Sequence, residues 1–155
     1  MKKFMCSAIS SALQGIKKNA GGPFGACIVK NGKILAVAHN QVLKNQDPTC
    51  HAEIQAIRTA VKKLKRFDLS GCEIYSTTEP CPMCFSAIHW ARIPKLVYGT
   101  SIADVAKLGF NELAVSNALI KKIGRLKIQI RKSFERKACS DLLKKWSSLE
   151  SKRTY

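Results

Sequence analysis

Residues 71–100 read GCEIYSTTEPCPMCFSAIHWARIPKLVYGT, and this stretch decides the fold. Residues 71–77 have the short, β-rich character of a strand. Residues 81–92 form an apolar run long enough for three helical turns, with Pro82 just inside its start. Residues 94–100 return to a strand pattern. A strand, a helix and a strand in succession predict two parallel strands joined by a crossover helix. The same stretch raises a chemical question. Cys81 and Cys84 stand three apart at the start of the helix. A single Cys-x-x-Cys is half of a zinc site, a redox pair or a coincidence.

The flanking sequence completes the architecture. Residues 4–18 carry apolar positions at helical spacing. Residues 24–40, FGACIVKNGKILAVAHN, are two β-rich runs around Asn31-Gly32, a strong two-residue hairpin signal. Residues 40–46 read as a loop. Residues 47–66 read as a helix with Asp47 as N-cap and Pro48 at its first position. Residues 116–122 fit a short helix or loop, 125–130 a last strand and 137–152 a closing helix. The predicted fold is α/β, with a mixed five-stranded sheet between helices on both faces. It forms one domain over residues 1–155.

Composition agrees with a globular chain. It is 46% hydrophobic over 155 residues, enough for one core. No run of about eighteen apolar residues occurs, so no transmembrane helix is expected. The start, MKKFMCSAISSALQGIKK, has a signal-like opening, but Gln14 and Lys17 interrupt it; an amphipathic helix is the better reading. Seven cysteines sit mostly within apolar segments. That usage fits a reducing compartment without disulfides, and a cytoplasmic location is expected. The formal charge is +17, and residues 121–155 contribute twelve basic and three acidic groups. Such a field attracts nucleic acid. A merely solvated basic surface fits as well, since no aromatic interleaving or nucleic-acid motif accompanies it.

The other half of the metal question lies upstream. On a helix, residues three apart share a face, so both sulfurs can reach one ion. The helix N-terminus favours their thiolate form. His51, in DPTCHAE, supplies a third ligand. One His and two Cys leave the fourth tetrahedral position open, a catalytic rather than a structural arrangement. Glu53, two residues on, is placed to move a proton rather than to ligate. His39 and His89 read as ordinary structural residues, and Cys50 as packing.

His-x-Glu followed by Pro-Cys-x-x-Cys is the signature of zinc nucleobase deaminases. Here it is complete in His51, Glu53, Pro80, Cys81 and Cys84. The chain resembles the cytidine and deoxycytidylate deaminase superfamily, and more narrowly the bacterial guanine deaminases. The resemblance rests on GGPFGACIVKNGKILAVAHNQV, DPTCHAEIQAIR, STTEPCPMCFSAIHWAR, the Gly109-Phe110 segment and the terminal KRTY. It implies a three-layer α/β/α deaminase fold, one zinc ion per chain, and hydrolysis of guanine to xanthine and ammonia. It also implies substrate roles for Phe24, Asn40, Trp90, Glu112 and Tyr155. Asn111-Glu112 stands where an Asp-Asp pair is usual. A homodimer is implied, with the C-terminal segment available for exchange between subunits. The tRNA adenosine deaminases share the zinc motifs but usually carry a Val-Pro-Val-Gly-Ala-like stretch where this chain has GGPFGA. Small cytosine deaminases share the site and less of the rest. A non-catalytic zinc-stabilised module would have no use for Glu53.

Overall fold

The computed structural model describes residues 1–155. Helix α1 (Lys2–Lys17) leads into the hairpin β1 (Gly25–Lys30) and β2 (Lys33–His39). A short α2 (Val42–Asn45), α3 (Ala52–Leu64), β3 (Cys72–Thr78), α4 (Pro82–Trp90) and β4 (Lys95–Thr100) follow. Helices α5 (Ile102–Ala106) and α6 (Asn117–Ile123), strand β5 (Gln129–Arg131) and α7 (Arg136–Ser147) complete the chain. The sheet order is β2-β1-β3-β4-β5. β1 runs antiparallel to both β2 and β3, while β3, β4 and β5 are mutually parallel.

The hairpin turns at Asn31 and Gly32, both with positive φ, which suits the twist of the strands. Strand alternation then sorts the core. Ile28, Ile74 and Leu96 face α3 and α4, whereas Cys27, Tyr75 and Val97 face α1 and α7. The expected layers are therefore present, with seventeen buried residues in the larger cluster. No helix is long and apolar enough to cross a membrane. All seven cysteines are free.

Five local expectations change, the simplest being that the closing helix ends at Ser147 instead of 152. Residues 40–46 contain α2 rather than only loop. Helix α5 is an additional element, opened by a full capping box between Ser101 and Asp104. The last strand begins at Gln129 instead of 125, because its pairing starts only beside Lys95. Most consequential, the helix expected from Asp47 starts at Ala52. The Asp47 carboxylate accepts hydrogen bonds from the Thr49 amide (2.8 Å) and hydroxyl (2.7 Å). This local turn competes with the helix and holds residues 47–50 outside it. His51 thereby becomes the extended N-cap residue.

Candidate active site

The site lies beyond the carboxyl end of β3, where open α/β sheets bind ligands. Two helices begin there in the same way. His51 precedes α3 with φ −67° and ψ 156°, and Cys81 precedes α4 with φ −62° and ψ 165°. Each ligand residue is thus extended at a helix N-cap, and the two N-termini converge. Cys84 sits in the first turn of α4, fully buried. Pro82 occupies the first helical position, where its missing N–H costs nothing.

The His51 Nδ1 atom is 3.6 Å from the Sγ atoms of both Cys81 and Cys84. Tetrahedral zinc with ordinary Zn–S and Zn–N bonds would set these separations at about 3.6 Å. All three ligand atoms lie within 4.8 Å of one another. His51, Cys81 and Cys84 can therefore hold a zinc ion without rearrangement. In the metal-free chain, a hydrogen bond from the Cys84 thiol pulls the Cys81 thiol down to about 4, against burial and with help from His51. The Cys84 thiol is held correspondingly high by the same bond and by burial.

Glu53 is 5% exposed, and its Oε1 accepts a hydrogen bond from the Ser76 hydroxyl at 2.7 Å. Burial raises its proton affinity, while the His51 charge opposes the rise. Glu112 is half-buried and also pushed up, first by burial and then by Cys81. Both carboxylates line one cavity of about 310 Å3 with His51, Cys81, Phe24, Phe110 and Tyr155.

The tail of the chain reaches this cavity. The Tyr155 hydroxyl accepts a hydrogen bond from the Gly22 amide at 3.1 Å. The ring packs edge-on against Phe110 at 5.4 Å, and Phe110 packs on Phe24 at 5.1 Å. Asn40 is fully buried behind this wall: its Oδ1 accepts from the Val42 amide, and its Nδ2 has no partner. Trp90 stands apart. It is 77% exposed at the far end of α4, with its ring against His89, and it lines no part of this cavity.

Ser76, Thr78 and Glu79 join the site only through the fold: Ser76 bonds Glu53, and Thr78 and Glu79 line the cavity. Ser76 carries a readable signal, being a hydroxyl that follows Cys72 and Ile74 on the α3-facing side of β3. Glu79 lay in plain view beside Pro80. Its partners come from distant elements and could not be read locally. Cys50 does more than pack, since Asn45 and Arg58 donate to its sulfur and its thiol donates to Asp47.

The model of the cytidine and deoxycytidylate deaminase zinc-binding region matches residues 1–100. A guanine deaminase of Bacillus subtilis (strain 168) is 45% identical over 109 residues, covering 70% of this chain and 70% of the relative. A tRNA-specific adenosine deaminase of Buchnera aphidicola subsp. Schizaphis graminum (strain Sg) is 35% identical over 131 residues, covering 82% and 81%. A solved guanine deaminase from Nitrosomonas europaea superposes with a TM-score of 0.85 at 27% identity, covering 94% of this chain and 84% of that one.

Proposed function

Since the chain belongs to the cytidine and deoxycytidylate deaminase family, we propose that it hydrolyses guanine to xanthine and ammonia. The observation that carries this reading is the cavity in front of His51, Cys81 and Cys84. At about 310 Å3 it is near the lower bound for ligand pockets. Its aromatic walls, Phe24, Phe110 and Tyr155, suit a flat base. A free base suits such a space better than a base still attached to a polynucleotide.

His51, Cys81 and Cys84 would hold a zinc ion, which would supply activation of water at neutral pH and Lewis-acid stabilisation of developing negative charge. The chain's residues do the rest. Glu53 takes the proton released from water and delivers it to a ring nitrogen of guanine. Once the water oxygen has bonded to carbon 2, the same carboxylate takes the second water proton from that new hydroxyl and gives it to the exocyclic amine as the C–N bond breaks, releasing ammonia. Water thus contributes the oxygen of xanthine; one of its protons stays on the ring nitrogen and the other leaves with ammonia. Ser76 orients the Glu53 carboxylate through the 2.7 Å bond. Glu112 accepts from the N–H groups of the base, and the unpaired Asn40 Nδ2, which lines no part of the cavity, donates to the base edge only if the base enters deeper than Phe24 and Tyr155. Phe24 packs on the ring face.

Ammonia release from a base panel tests the substrate. Guanine, adenine, cytosine and a tRNA anticodon stem-loop are compared under one condition. Guanine is expected to exceed the others in kcat/KM by ~100-fold or more, because a site that hydrogen-bonds its base rejects mismatched edges strongly. The second reading, deamination of adenosine in tRNA, draws on the +17 charge and the Buchnera relative. Preferred turnover of the stem-loop would establish it in place of guanine.

A homodimer is part of the proposal. Among the helices, α4 alone carries no Asp, Glu, Lys or Arg, yet its outward face exposes Met83 and Trp90. In a chain of +17, a charge-free face is where two copies approach with least repulsion. Trp90 enters the reading through that contact. Within one chain the tail already reaches its own cavity. Deleting Tyr155 is expected to raise KM by roughly 10-fold, the cost of a hydrogen bond and an aromatic contact. Co-expressing that deletion with Glu53→Gln should restore nothing if each tail serves its own chain. Recovered activity would instead show tails exchanged between subunits, and sedimentation equilibrium reports the dimer itself.

A further inference from the structure

The turn that presents Cys81 is gripped from a distant element. Asn117, the first residue of α6, is completely buried. Its Nδ2 donates to the Pro80 carbonyl at 2.6 Å. Its backbone N–H donates to the Glu79 carboxylate at 2.9 Å. Glu79 is itself 8% exposed, and its amide donates to the Thr100 carbonyl at 2.8 Å. Residues 79 and 80 are thus held by one asparagine on one side and by β4 on the other, directly before the cysteine.

The same asparagine ends the loop that forms the opposite wall of the cavity. Phe110, Asn111, Glu112 and Leu113 line that wall, and Glu112 lies five residues before Asn117. Within the loop, backbone bonds cross short turns, such as Glu112 N–H to the Phe110 carbonyl and Val115 N–H to the Leu113 carbonyl, and the Asn111 N–H reaches the Tyr155 carbonyl at 3.5 Å, but none reaches the sheet. Asn117 is where the loop becomes tied to the sheet end of the site. The Oδ1 atom of Asn117 has no partner. An amide buried with one unpaired atom is a costly way to pack a helix start, which an apolar side chain would do better. What it uniquely supplies is the donor to Pro80.

We propose that Asn117 is a positioning residue that ties the Cys81 turn to the Phe110–Glu112 wall, so that one buried amide sets the metal ligand and the substrate wall together. This rests on the zinc-deaminase reading of the site. Partners of this kind, one bond removed from a metal ligand, govern both affinity and ligand orientation.

Three variants test it, each with zinc affinity by competitive titration, the visible spectrum of the cobalt-loaded protein, and KM and kcat for guanine. Asn117→Ala is expected to weaken zinc by ~10–100-fold, shift the cobalt bands and raise KM. Ser116→Ala removes the neighbouring N-cap of α6, whose hydroxyl accepts from the Leu119 amide at 3.2 Å. It should lower the Tm by ~2–4 °C with zinc affinity and cobalt bands unchanged. Glu79→Gln keeps an acceptor for the Asn117 amide and should stay within about 3-fold of the parent in zinc affinity. If Asn117→Ala does not fold, Asn117→Asp keeps the size and the backbone donor, and it should show the same losses because it puts an acceptor against the Pro80 carbonyl. Unchanged zinc affinity and cobalt bands in the Asn117 variant would overturn the proposal, as would equal changes in Ser116→Ala. Failure of the parent chain to bind zinc would instead remove the reading beneath it.

Discussion

Glu53→Gln is expected to retain zinc and to lose about 10²–10⁴-fold in kcat, the range ascribed to a positioned general acid–base. Glu53 is not needed to hold the metal, since His51, Cys81 and Cys84 already meet within 4.8 Å. Glutamine keeps the shape of the side chain and an oxygen to accept from the Ser76 hydroxyl, so the fold and the cavity should survive. What it removes is a group able to take a proton and give it back. The environment suits that task. Burial pushes the Glu53 carboxyl up from its ordinary range, which makes it a better proton acceptor. Elemental analysis should give a zinc content equal to the parent chain, and single-turnover kinetics should place the loss in the chemical step. A variant with near-parental turnover would assign the proton transfer to another group, with Glu79 and Glu112 the other carboxylates in the same cavity.

Cys84→Ala is expected to lose the metal, and activity with it. Cys84 is fully buried in the first turn of α4, and no other His, Cys, Asp or Glu joins the three-residue cluster to replace it. Zinc content should fall from about one per chain to under ~0.1, because two remaining ligands cannot compete with water and buffer. The chain should nevertheless remain folded. Fifty-two of its 155 residues are buried, and none of the three hydrophobic core clusters includes a metal ligand. This separates the protein from small zinc domains that unfold without their ion. A chelator should therefore lower the Tm of the parent chain, by mass action on the native state, and leave that of Cys84→Ala unmoved. Full zinc occupancy in the variant would refute the ligand assignment.

Much of the site was legible because its chemistry is concentrated in two short segments. His51 with Glu53, and Cys81 with Cys84, are each fixed by spacing at a helix start. The hairpin was legible through Asn31-Gly32, and the parallel strands through residues 71–100. Less was legible where distant residues decide the outcome. Asp47 has the side chain and the following proline of a helix cap, but it bonds to Thr49 instead, and the helix waits until Ala52. Trp90 has the residue type of a stacking surface, yet α4 carries it away from the cavity that begins at its other end. Tyr155 is 133 residues from Gly22 and meets it at the edge of the cavity that Tyr155 lines.

By itself the sequence determined the α/β class, the mixed sheet, the three metal-ligand residues and the acid–base candidate beside them. Those follow from periodicity and short-range spacing, which act over a few residues at a time. Only the tertiary structure decided how the two ligand segments face each other at 3.6 Å, that Ser76 orients Glu53, and that Asn117 holds the turn before Cys81. These are contacts between elements far apart in the chain. A buried polar atom takes its partner from whatever the folded sheet and helices bring within hydrogen-bond reach, and no local pattern encodes that choice.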